Sequence, residues 1–567
     1  MVRAALALCA ALAVAPLTAA QSSPPNLNTV RLSQLNVRNN YNDVWGYTAP
    51  DGREYACMGA AAGFSIINCT DPLAPYEVAW FPGTFCTWRD LKTYNEFLYV
   101  VNDCSGGVDV VDMTDPENPV FVNTFGANHM NHAHNVAIDT DAGILYCTGT
   151  QNGMHVYDLD IDPVDPPRIE LWGPTYVHDV SVQDGMAHAA LIYAGDLRIL
   201  DVSNPANITT ISSEPSGAQF AHSTWPSEDN SIVVVADEKP ALRHLSFYDF
   251  SNPNNPIKLS QFVEDTQSIP HNPFIKGDVC YVSWYTEGFI AIDISDPTDP
   301  VKIGRYDTQP NTGSGGVTGF NGAWGVYPYS PSGFVYVSDR SRGLFVLSFN
   351  ECSVDLPSQP QPQICRVWPE SVSALKSPRQ RVVLQGKGFT NATEINVGGT
   401  VIDSSQFTRI GDQVLHFRMP IVSNPGTNLI TVTNGAGPSS PMSVEVTLPE
   451  GPLPMLDTGD EVVSVGDKLT MAFASNPGDL MYPVAGFSPL PSEIFGTVSF
   501  DLGNAFNEFL WLAPNGMFAN AAGVNGFTID VPSAALGFTV YWQVAVVDPQ
   551  VGPPATVTAR TMTTVVD

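Results

Sequence analysis

The feature that most constrains the fold is a short segment that recurs seven times within the first 350 residues. Each copy joins alternating apolar residues to a turn that usually reads Asp-Pro, and successive copies lie about 40 to 55 residues apart. The copies begin at Gly63, Gly107, Gly153, Gly195, Arg243, Gly288 and Arg342. This period, rich in β-branched and aromatic residues, is typical of the blades of a β-propeller and not of a helical solenoid.

Alternation around the third copy predicts the four strands of one blade. Residues 134–138 form the first strand, 139–143 a turn, 144–148 the second strand and 154–159 the third. The fourth strand follows the Asp-Pro turn, where a proline without an N–H suits the passage to an outer strand. An aspartate stands at one register of the third strand in five copies, and we expect it to accept hydrogen bonds from turn amides. These residues are Asp112, Asp158, Asp201, Asp249 and Asp293.

The seventh copy ends at Asn350 without an outer strand of its own. An N-terminal segment, residues 29–37, resembles the outer strands predicted at 120–125 and 301–306. Pairing of this segment with the last blade would close the ring and remove the open edges of a linear array. The sequence therefore predicts an all-β chain that starts with a seven-bladed propeller closed by its N-terminal strand.

The amino-acid composition argues against nucleic acid as a partner. The formal net charge is −32 and only 25 residues are Lys or Arg, which argues against nucleic acid because phosphate contacts need clustered cations. The length of 567 residues predicts several domains, and the 44% apolar content is sufficient for large cores. We expect no nucleic-acid partner.

The N-terminus reads as an export signal. Arg3 precedes an apolar run over 4–14, and small residues at 18–20 complete a secretory signal peptide, residues 1–20. Eight cysteines then remain, an even number that suits an oxidising compartment. No later stretch reaches the roughly 20 apolar residues of a membrane helix. We expect a monomer in the periplasm or outside the cell, without a transmembrane segment.

Two disulfides are predicted from spacing. Cys352 and Cys365 flank a proline-rich linker at 351–363, and their bridge would close a small loop. Cys86 and Cys104 lie opposite each other on a hairpin centred near Asn95.

The other four cysteines are less constrained. Cys57 and Cys69 form a candidate pair on the hairpin of the first blade. Cys147 and Cys280 belong to blades well apart in the ring, so we expect buried free thiols.

A second alignment concerns the residues that open each first strand, which is the innermost strand of a propeller blade. They are Trp45, Arg89, His134, His178, His222, His271 and Trp324. These positions are expected around the central channel at one level, so four consecutive blades offer histidine to the same space. Together with Trp88 they form the predicted ligand-binding mouth.

The four histidines allow two interpretations. They could bind zinc, copper or iron, with Asn135 and Asp179 orienting the imidazole rings, and His129 and His132 adding ligands. Alternatively, each histidine bonds to the backbone of the next blade, as a packing device copied by duplication. The aspartates at 139–143 could bind calcium, but the stretch is short for a calcium loop and is better explained as a hairpin turn. Arg89 could hold an anion or pair with Asp90.

The motif ending in Asp-Pro or Asn-Pro, as in Ile-Asp-Ile-Ser-Asp-Pro at 292–297 and Leu-Asp-Val-Ser-Asn-Pro at 200–205, resembles the LVIVD repeat. With the His-Asn and His-Asp strand openings, residues 27–350 resemble the choice-of-anchor B family of secreted or surface bacterial proteins. The resemblance implies a propeller in an extracytoplasmic setting, without an established reaction. The sequence departs from the family pattern because it shows no recognisable anchor.

Two further β-rich segments follow. The elements Gly-Lys-Gly-Phe at 386–389 and Asn-Val-Gly-Gly at 396–399 make residues 364–448 similar to the IPT/TIG immunoglobulin-like fold. The resemblance implies a spacer or adhesive module. Residues 456–567 alternate between Gly, Pro and Asn turns and are predicted to form a C-terminal β-sandwich.

These observations lead to two functions of different class. The first is a secreted or cell-surface binding protein that recognises a glycan, a peptide or a surface protein through one face of the propeller. The second is a metal-dependent extracellular hydrolase or oxidoreductase that uses the histidine ring. The chain has no Gly-x-Ser-x-Gly elbow, phosphate-binding glycine loop or Cys-x-x-Cys motif, which favours binding over catalysis. A passive component of an envelope or matrix is a third possibility.

Overall fold

We describe a computed structural model of the chain. It describes residues 26–173, 175–216, 220–239, 242–264, 268–310, 319–350, 352, 360–374, 380–420 and 425–447, and the strands between 455 and 566. The predicted signal peptide lies outside these residues. The chain divides into two compact units, residues 1–347 and 348–567, and both are built from β-strands.

The first unit consists of seven four-stranded sheets, the blades, and in six of them the strands follow the chain from the inner to the outer strand. Strand β1 (Thr29–Leu35) precedes the first blade. Blade 1 contains β2 (Tyr41–Thr48), β3 (Glu54–Ala60), β4 (Gly63–Asn68) and β5 (Tyr76–Pro82). Blade 2 contains β6 (Arg89–Tyr94), β7 (Phe97–Asn102), β8 (Val108–Asp112) and β9 (Val120–Phe125). Blade 3 contains β10 (Asn135–Asp139), β11 (Ile144–Thr150), β12 (Gly153–Asp158) and β13 (Arg168–Trp172).

The next three blades repeat this order. Blade 4 contains β14 (Asp179–Gln183), β15 (Met186–Leu191), β16 (Asp196–Asp201) and β17 (Thr209–Pro215). Blade 5 contains β18 (Ala221–Pro226), β19 (Ile232–Lys239), β20 (Leu242–Asp249) and β21 (Ile257–Phe262). Blade 6 contains β22 (Pro273–Lys276), β23 (Val279–Trp284), β24 (Gly288–Asp293) and β25 (Val301–Tyr306).

Blade 7 closes the ring as the sequence predicts. It contains β26 (Ala323–Tyr327), β27 (Val335–Asp339) and β28 (Gly343–Phe349), and its outer strand is β1 from the N-terminus. Each inner strand contacts the inner strands of both neighbouring blades, including β2 against β26. Residues 26–347 therefore form a seven-bladed β-propeller around a central channel.

The Asp-Pro turns join neighbouring blades. The third-strand aspartates accept hydrogen bonds from turn amides as predicted, for example Thr114 N–H to Asp112 Oδ1 at 2.8 Å. In addition, the turn proline's carbonyl accepts a hydrogen bond from a serine on the preceding blade's outer strand. Ser212 Oγ donates to Pro253 O and Ser260 Oγ to Pro297 O, each at 2.6 Å. The repeated motif therefore connects neighbouring blades at these junctions, which is a structural role.

Apolar side chains fill the spaces between blades. One such cluster contains Val110 of blade 2 and Leu145 of blade 3, both fully buried. Another contains Phe247 of blade 5 and Trp284 of blade 6. Alternation places these side chains on both faces of each sheet, because every blade is covered by two neighbours.

The second unit begins with two sheets that share a core. The first sheet has the order β29-β31-β35-β34, and the second contains β30, β38, β36, β32, β33 and β37. Buried residues from both, such as Leu384 and Val432, form one cluster, so residues 363–447 make a β-sandwich. The strands are β29 (Gln363–Trp368), β30 (Ser371–Ser373), β31 (Arg381–Lys387), β32 (Glu394–Val397), β33 (Thr400–Asp403), β34 (Phe407–Ile410), β35 (Val414–Arg418), β36 (Gly426–Asn434), β37 (Gly437–Pro438) and β38 (Met442–Thr447).

The C-terminal part of this unit contains further antiparallel sheets, with one parallel pair between β40 and β50. Its strands are β39 (Met455–Asp457), β40 (Val462–Ser464), β41 (Lys468–Ala474), β42 (Leu480–Gly486), β43 (Ser492–Ile494), β44 (Val498–Phe500), β45 (Leu510–Trp511), β46 (Met517–Phe518), β47 (Val524–Asp530), β48 (Thr539–Val547), β49 (Thr556–Val557) and β50 (Thr561–Val566). Among the described residues, no helix is long and apolar enough to cross a membrane.

Both predicted disulfides are present. Cys86 is bonded to Cys104, and Cys352 to Cys365. The candidate pairing of Cys57 with Cys69 is wrong, because both are free buried thiols. Cys57 lies within β3 opposite Ile66, three residues before Cys69, so the hairpin register does not bring the two together. Cys147 and Cys280 are free and buried, as expected.

Candidate functional site

The candidate site lies at the end of the channel where the inner strands begin. His134 and His178 directly precede β10 and β14, and His271 lies two residues before β22. His222 and Trp324 are the second residues of β18 and β26. All five side chains therefore stand at one level, on consecutive blades 3 to 7.

Their aromatic rings form a closed circuit with Trp88. Ring centroids are 4.4 Å apart for His134 and His178, 4.7 Å for His178 and His222, and 4.5 Å for His222 and His271. Trp324 continues the circuit 4.4 Å from His271 and stacks on Trp88 at 4.6 Å. Trp88 lies 6.3 Å from His134. Six aromatic rings thus surround the channel mouth.

Local backbone features direct these side chains inward. In blades 5 and 7 the register shifts by one residue, and the extra residue is His222 or Trp324. Such β-bulges redirect a side chain and are common next to functional sites. In blade 3, Gly149 faces His134: a Cβ there would lie 2.1 Å from the Cβ of His134, so only glycine leaves room for the imidazole.

Trp45, predicted at this level, lies deeper in the channel. The register of blade 1 shifts between Tyr41 and Val44, so Asn42 occupies the position equivalent to the histidines. The ring of Trp45 lies 5.1 Å from that of Tyr327, and Lys92 Nζ is 4.5 Å from its centroid. The predicted position is wrong by three residues, because Trp45-Gly matches Trp324-Gly in sequence but not in its place on the inner strand.

Arg89, also predicted at the mouth, points away from it. Its guanidinium donates to the carbonyl oxygens of Ala60 and Thr84 in blade 1, at 3.3 and 2.9 Å. The predicted pairing with Asp90 is wrong as well, since Asp90 accepts from Lys92 Nζ at 2.8 Å. Arg89 is a structural cation at the junction of blades 1 and 2.

Three of the four histidines have their Nδ1 atom held by a neighbour. His134 Nδ1 is 2.9 Å from Asp103 Oδ2, and His271 Nδ1 is 2.7 Å from the backbone oxygen of Trp324. His178 Nδ1 is 3.2 Å from the hydroxyl of Tyr176. His271 bonds to the backbone of the next blade, as the packing interpretation predicts, and the backbone of His271 acts in the same way on His222 of the preceding blade, whereas His134 and His178 are held by side chains.

The residues predicted to orient the imidazoles have other contacts. Asn135 Nδ2 donates to the backbone oxygen of His178 at 3.3 Å, and Asp179 Oδ1 accepts from Val180 N–H at 2.8 Å. His129, proposed as an additional ligand, has its Nδ1 3.2 Å from the hydroxyl of Tyr157.

Ligand atoms of the four histidines fall into two groups that share His222. Ligand atoms of His134, His178 and His222 lie within 4.8 Å of one another, and so do those of His222, His271 and Glu238. Glu238 Oε2 is 3.5 Å from His222 Nε2, and Oε1 is 3.8 Å from His271 Nε2. Two ring nitrogens of this group, His178 Nε2 and His222 Nδ1, are buried without a hydrogen-bond partner.

The electrostatics keep most of these imidazoles neutral. Burial lowers the pKa of His271 to about 3 and holds the pKa values of His178 and His222 well below their ordinary value. For His134, burial is the largest influence and lowers the pKa, but the hydrogen bond to Asp103 and the negative charges of Asp103, Asp179 and Glu238 together outweigh it, so the net shift is upward. Neutral imidazole is the form that binds metal ions.

Glu238 is a buried acid at the edge of the group. Burial raises its pKa to about 7, while its hydrogen bond from Tyr285 and the positive charges of His134 and Arg340 oppose that shift. The Tyr285 hydroxyl donates to Glu238 Oε1 at 2.5 Å. Both oxygens of this carboxylate therefore face a histidine, and the Oε1 atom is also held by Tyr285.

A polar cavity of about 70 Å³ lies in the channel directly below the histidines. Asp43, Asp90 and Asp179 line it from three blades, and Lys92 lies among them. Asn272 Nδ2 donates to Asp43 Oδ2 at 3.3 Å. Burial raises the pKa of Asp179 to about 6 and, together with the charge of Asp90, holds the pKa of Asp43 well above its usual range.

Sequence reasoning missed four residues of the site. Each lies where a second strand ends, directly opposite the start of an inner strand. They are Asp103, Glu238, Tyr285 and Arg340. Aligning the ends of the second strands across the repeats would have placed them at the level of the histidines.

The sequence comparisons agree with the repeat. A family model for the LVIVD repeat matches residues 88–126, 174–213 and 273–308, which span blades 2, 4 and 6. LVIVD repeats are present. No curated protein matches the chain.

Solved structures with some similarity include U3-55K, with 8% identity and a TM-score of 0.42 over 58% of this chain and 99% of that one. Hydrazine synthase of Kuenenia stuttgartiensis has 16% identity and a TM-score of 0.39, covering 55% and 97%. A protein from Lactobacillus plantarum has 12% identity and a TM-score of 0.42, covering 67% and 100%.

Proposed function

We propose that this chain is an exported binding protein whose LVIVD propeller holds a transition-metal ion at the channel mouth and presents it to an extracellular ligand. The observation that carries the proposal is that side chains from four consecutive blades form two groups of three converging ligands, which share His222 and one of which includes Glu238. A binding function agrees with the propeller fold, and the two disulfides agree with export.

The donor atoms at the site indicate which metal ions it could bind. Imidazole nitrogens with one carboxylate suit zinc, copper and iron, whereas calcium and magnesium prefer oxygen donors. His222 belongs to both groups of converging ligands, so one ion near it would draw on His134 and His178 on one side, or on His271 and Glu238 on the other.

The contacts of the outer nitrogens support this assignment. Metal-binding histidines usually donate their second N–H to a carboxylate or a backbone carbonyl, which fixes the tautomer and directs the free nitrogen at the metal. Asp103 does this for His134, and the Trp324 carbonyl for His271. An ion held by three side chains keeps an open coordination position for a ligand atom or a water molecule.

Metal analysis of the purified full chain tests the proposal. The chain is treated with EDTA, reloaded separately with Zn²⁺, Cu²⁺ and Fe²⁺, and freed of excess ion before elemental analysis. We expect about one tightly bound ion per chain for at least one metal, lost in His222→Ala because His222 belongs to both groups of ligands. Loss in His178→Ala as well would place the ion on the side of His134, and retention in His178→Ala would place it on the side of His271 and Glu238. His416→Ala, in the second unit, should keep the ion. Wild-type chain without bound metal, or a His222→Ala variant that retains it, would contradict the proposal.

A second candidate function is metal-free adhesion through aromatic side chains on the same face. Phe85, Tyr193 and Phe320 lie on loops that lead into an inner strand or out of a second strand, and they are 70, 79 and 42% exposed. Exposed aromatic residues are enriched in binding surfaces. Glycan-array binding that persists in EDTA and disappears in Tyr193→Ser would favour this function. Binding abolished by EDTA would favour the metal site.

A further inference from the structure

Arg340 places a positive charge at the edge of the mouth. It directly follows β27, and its Cζ lies 5.4 Å from the ring centroid of Trp88 and 5.2 Å from that of Trp324. The charge of Arg340 also acts on the histidine site. Burial lowers the pKa of His271, and the positive charge of Arg340 lowers it further. The guanidinium thus belongs to the same electrostatic environment as the histidines.

The guanidinium has no carboxylate within ion-pair distance among the described residues. Of its five N–H donors, Nη1 donates to the backbone oxygen of Phe320. Lys92, the other cation near the channel, differs because it is paired with Asp90 at 2.8 Å. Arg340 therefore keeps most of its hydrogen-bonding capacity for a partner from outside the chain.

The surroundings indicate the chemistry of that partner. A guanidinium presents a planar fork that matches a carboxylate through two parallel hydrogen bonds. Trp88 is half-buried beside it, and Phe320 is 42% exposed. A ligand that pairs with Arg340 would therefore place its adjacent atoms against aromatic faces.

We propose that Arg340 binds a carboxylate of the ligand recognised at the mouth, with an apolar or ring portion of that ligand packed beside Trp88 and Phe320. The inference deepens the proposed function, since it names the ligand class of the same mouth. The biological role of this contact rests on the proposed function, but the pairing of Arg340 with a carboxylate requires no metal ion.

Calorimetric titration of the full chain tests the inference, once after EDTA treatment and once after metal loading. Benzoate is the probe, and benzamide is its neutral control of nearly the same shape. We expect benzoate to bind the wild type at least about tenfold more tightly than benzamide, the difference typical of one charge-assisted contact. Arg340→Gln should abolish this preference. Arg340→Lys should retain part of it, because it keeps the charge and loses the fork.

The control variant is Arg198→Gln on β16, whose guanidinium pairs with Asp196 at 3.0 Å and which should bind benzoate like the wild type. Equal affinity of the wild type for benzoate and benzamide would overturn the inference even if the Arg340 variants failed to fold. Preference for inorganic phosphate over benzoate would also overturn it. Benzoate preference in a chain that binds no metal would support the carboxylate site and contradict the proposed metal site, so the two failures are distinguishable.

Discussion

Trp88 and Trp324 stack on each other with their ring centroids 4.6 Å apart, although they belong to blades 2 and 7 and blade 1 lies between them in the ring. Blade 1 contributes Asn42 at this level, whose side chain donates to Thr87 O and supplies no aromatic ring. The two tryptophans therefore contact each other directly across the position of blade 1, which completes the circle of aromatic rings. Together with the four histidines they shape a mouth that is apolar on one side and rich in nitrogen donors on the other.

Asp103→Asn should weaken metal binding without preventing it. Asp103 accepts from His134 Nδ1–H at 2.9 Å, so the asparagine keeps the shape and removes the charge that orients the imidazole. Loss of such a partner typically lowers metal affinity about 10- to 100-fold. Competition with a chromogenic chelator measures the change, with Asp196→Asn on blade 4 as the control. An unchanged affinity would show that His134 does not bind the ion.

Glu54→Ala should destabilise the closure of the ring. The Glu54 carboxylate of blade 1 accepts from Ser332 N–H and Oγ at 2.7 Å each and from the Tyr336 hydroxyl at 2.9 Å, both residues of blade 7. Removing it leaves buried donors without an acceptor, at a cost of about 3 kcal/mol or more in the free energy of unfolding. Urea unfolding measures this. Glu96→Ala on an exposed hairpin should change stability by less than about 0.5 kcal/mol.

Replacing Cys86 and Cys104 together by serine should lower the stability of the propeller. The bridge joins residues 18 apart in sequence and restrains the loop that carries Trp88. For a loop of this size the loss is about 3 kcal/mol, since the unfolded chain gains freedom. Urea unfolding of the variant and of the oxidised wild type makes the comparison. Equal unfolding midpoints would be inconsistent with a stabilising bridge.

His188 should make the propeller less stable in mild acid. It is fully buried, neither ring nitrogen has a hydrogen-bond partner, and burial lowers its pKa to about 4. The unfolded state binds the proton first, near pH 6.5, so stability is greatest above that pH and is lost as the pH falls toward 4. From about pH 7 to 5 the loss is about 2 kcal/mol.

The test compares the wild type with His188→Leu by urea unfolding across this pH range. The variant should lose about 2 kcal/mol less than the wild type between pH 7 and 5, whatever its stability at pH 7. Identical pH profiles would mean that the imidazole is hydrated or paired in solution.

Much of the propeller could be predicted because its sequence motif is repeated. The third-strand motif recurs in each blade, so a strand boundary that is unclear in one copy can be read from the others. The seventh copy has no outer strand of its own, which indicated that β1 closes the ring. The disulfide between Cys86 and Cys104 followed from hairpin symmetry. These features depend on strand alternation and local spacing, which a sequence displays directly.

The two errors have different causes. Trp45-Gly was matched with Trp324-Gly, but the residue at the level of the histidines is Asn42, beside the one-residue register shift between Tyr41 and Val44. Arg89 was expected in the channel, but its long side chain reaches back to carbonyls of the preceding blade. A one-residue change in register or a rotation about side-chain bonds redirects a side chain, and neither is encoded in spacing.

The sequence alone determined an all-β chain, the number and order of the blades, and the level at which four histidines enter the channel, because each depends on repeated local alternation. Only the tertiary structure decided which nitrogens of those histidines are free, that Glu238, Asp103 and Arg340 join them, and that two tryptophans stack past blade 1. These relations depend on distances between atoms far apart in sequence. They arise only when the closed ring brings the blades together.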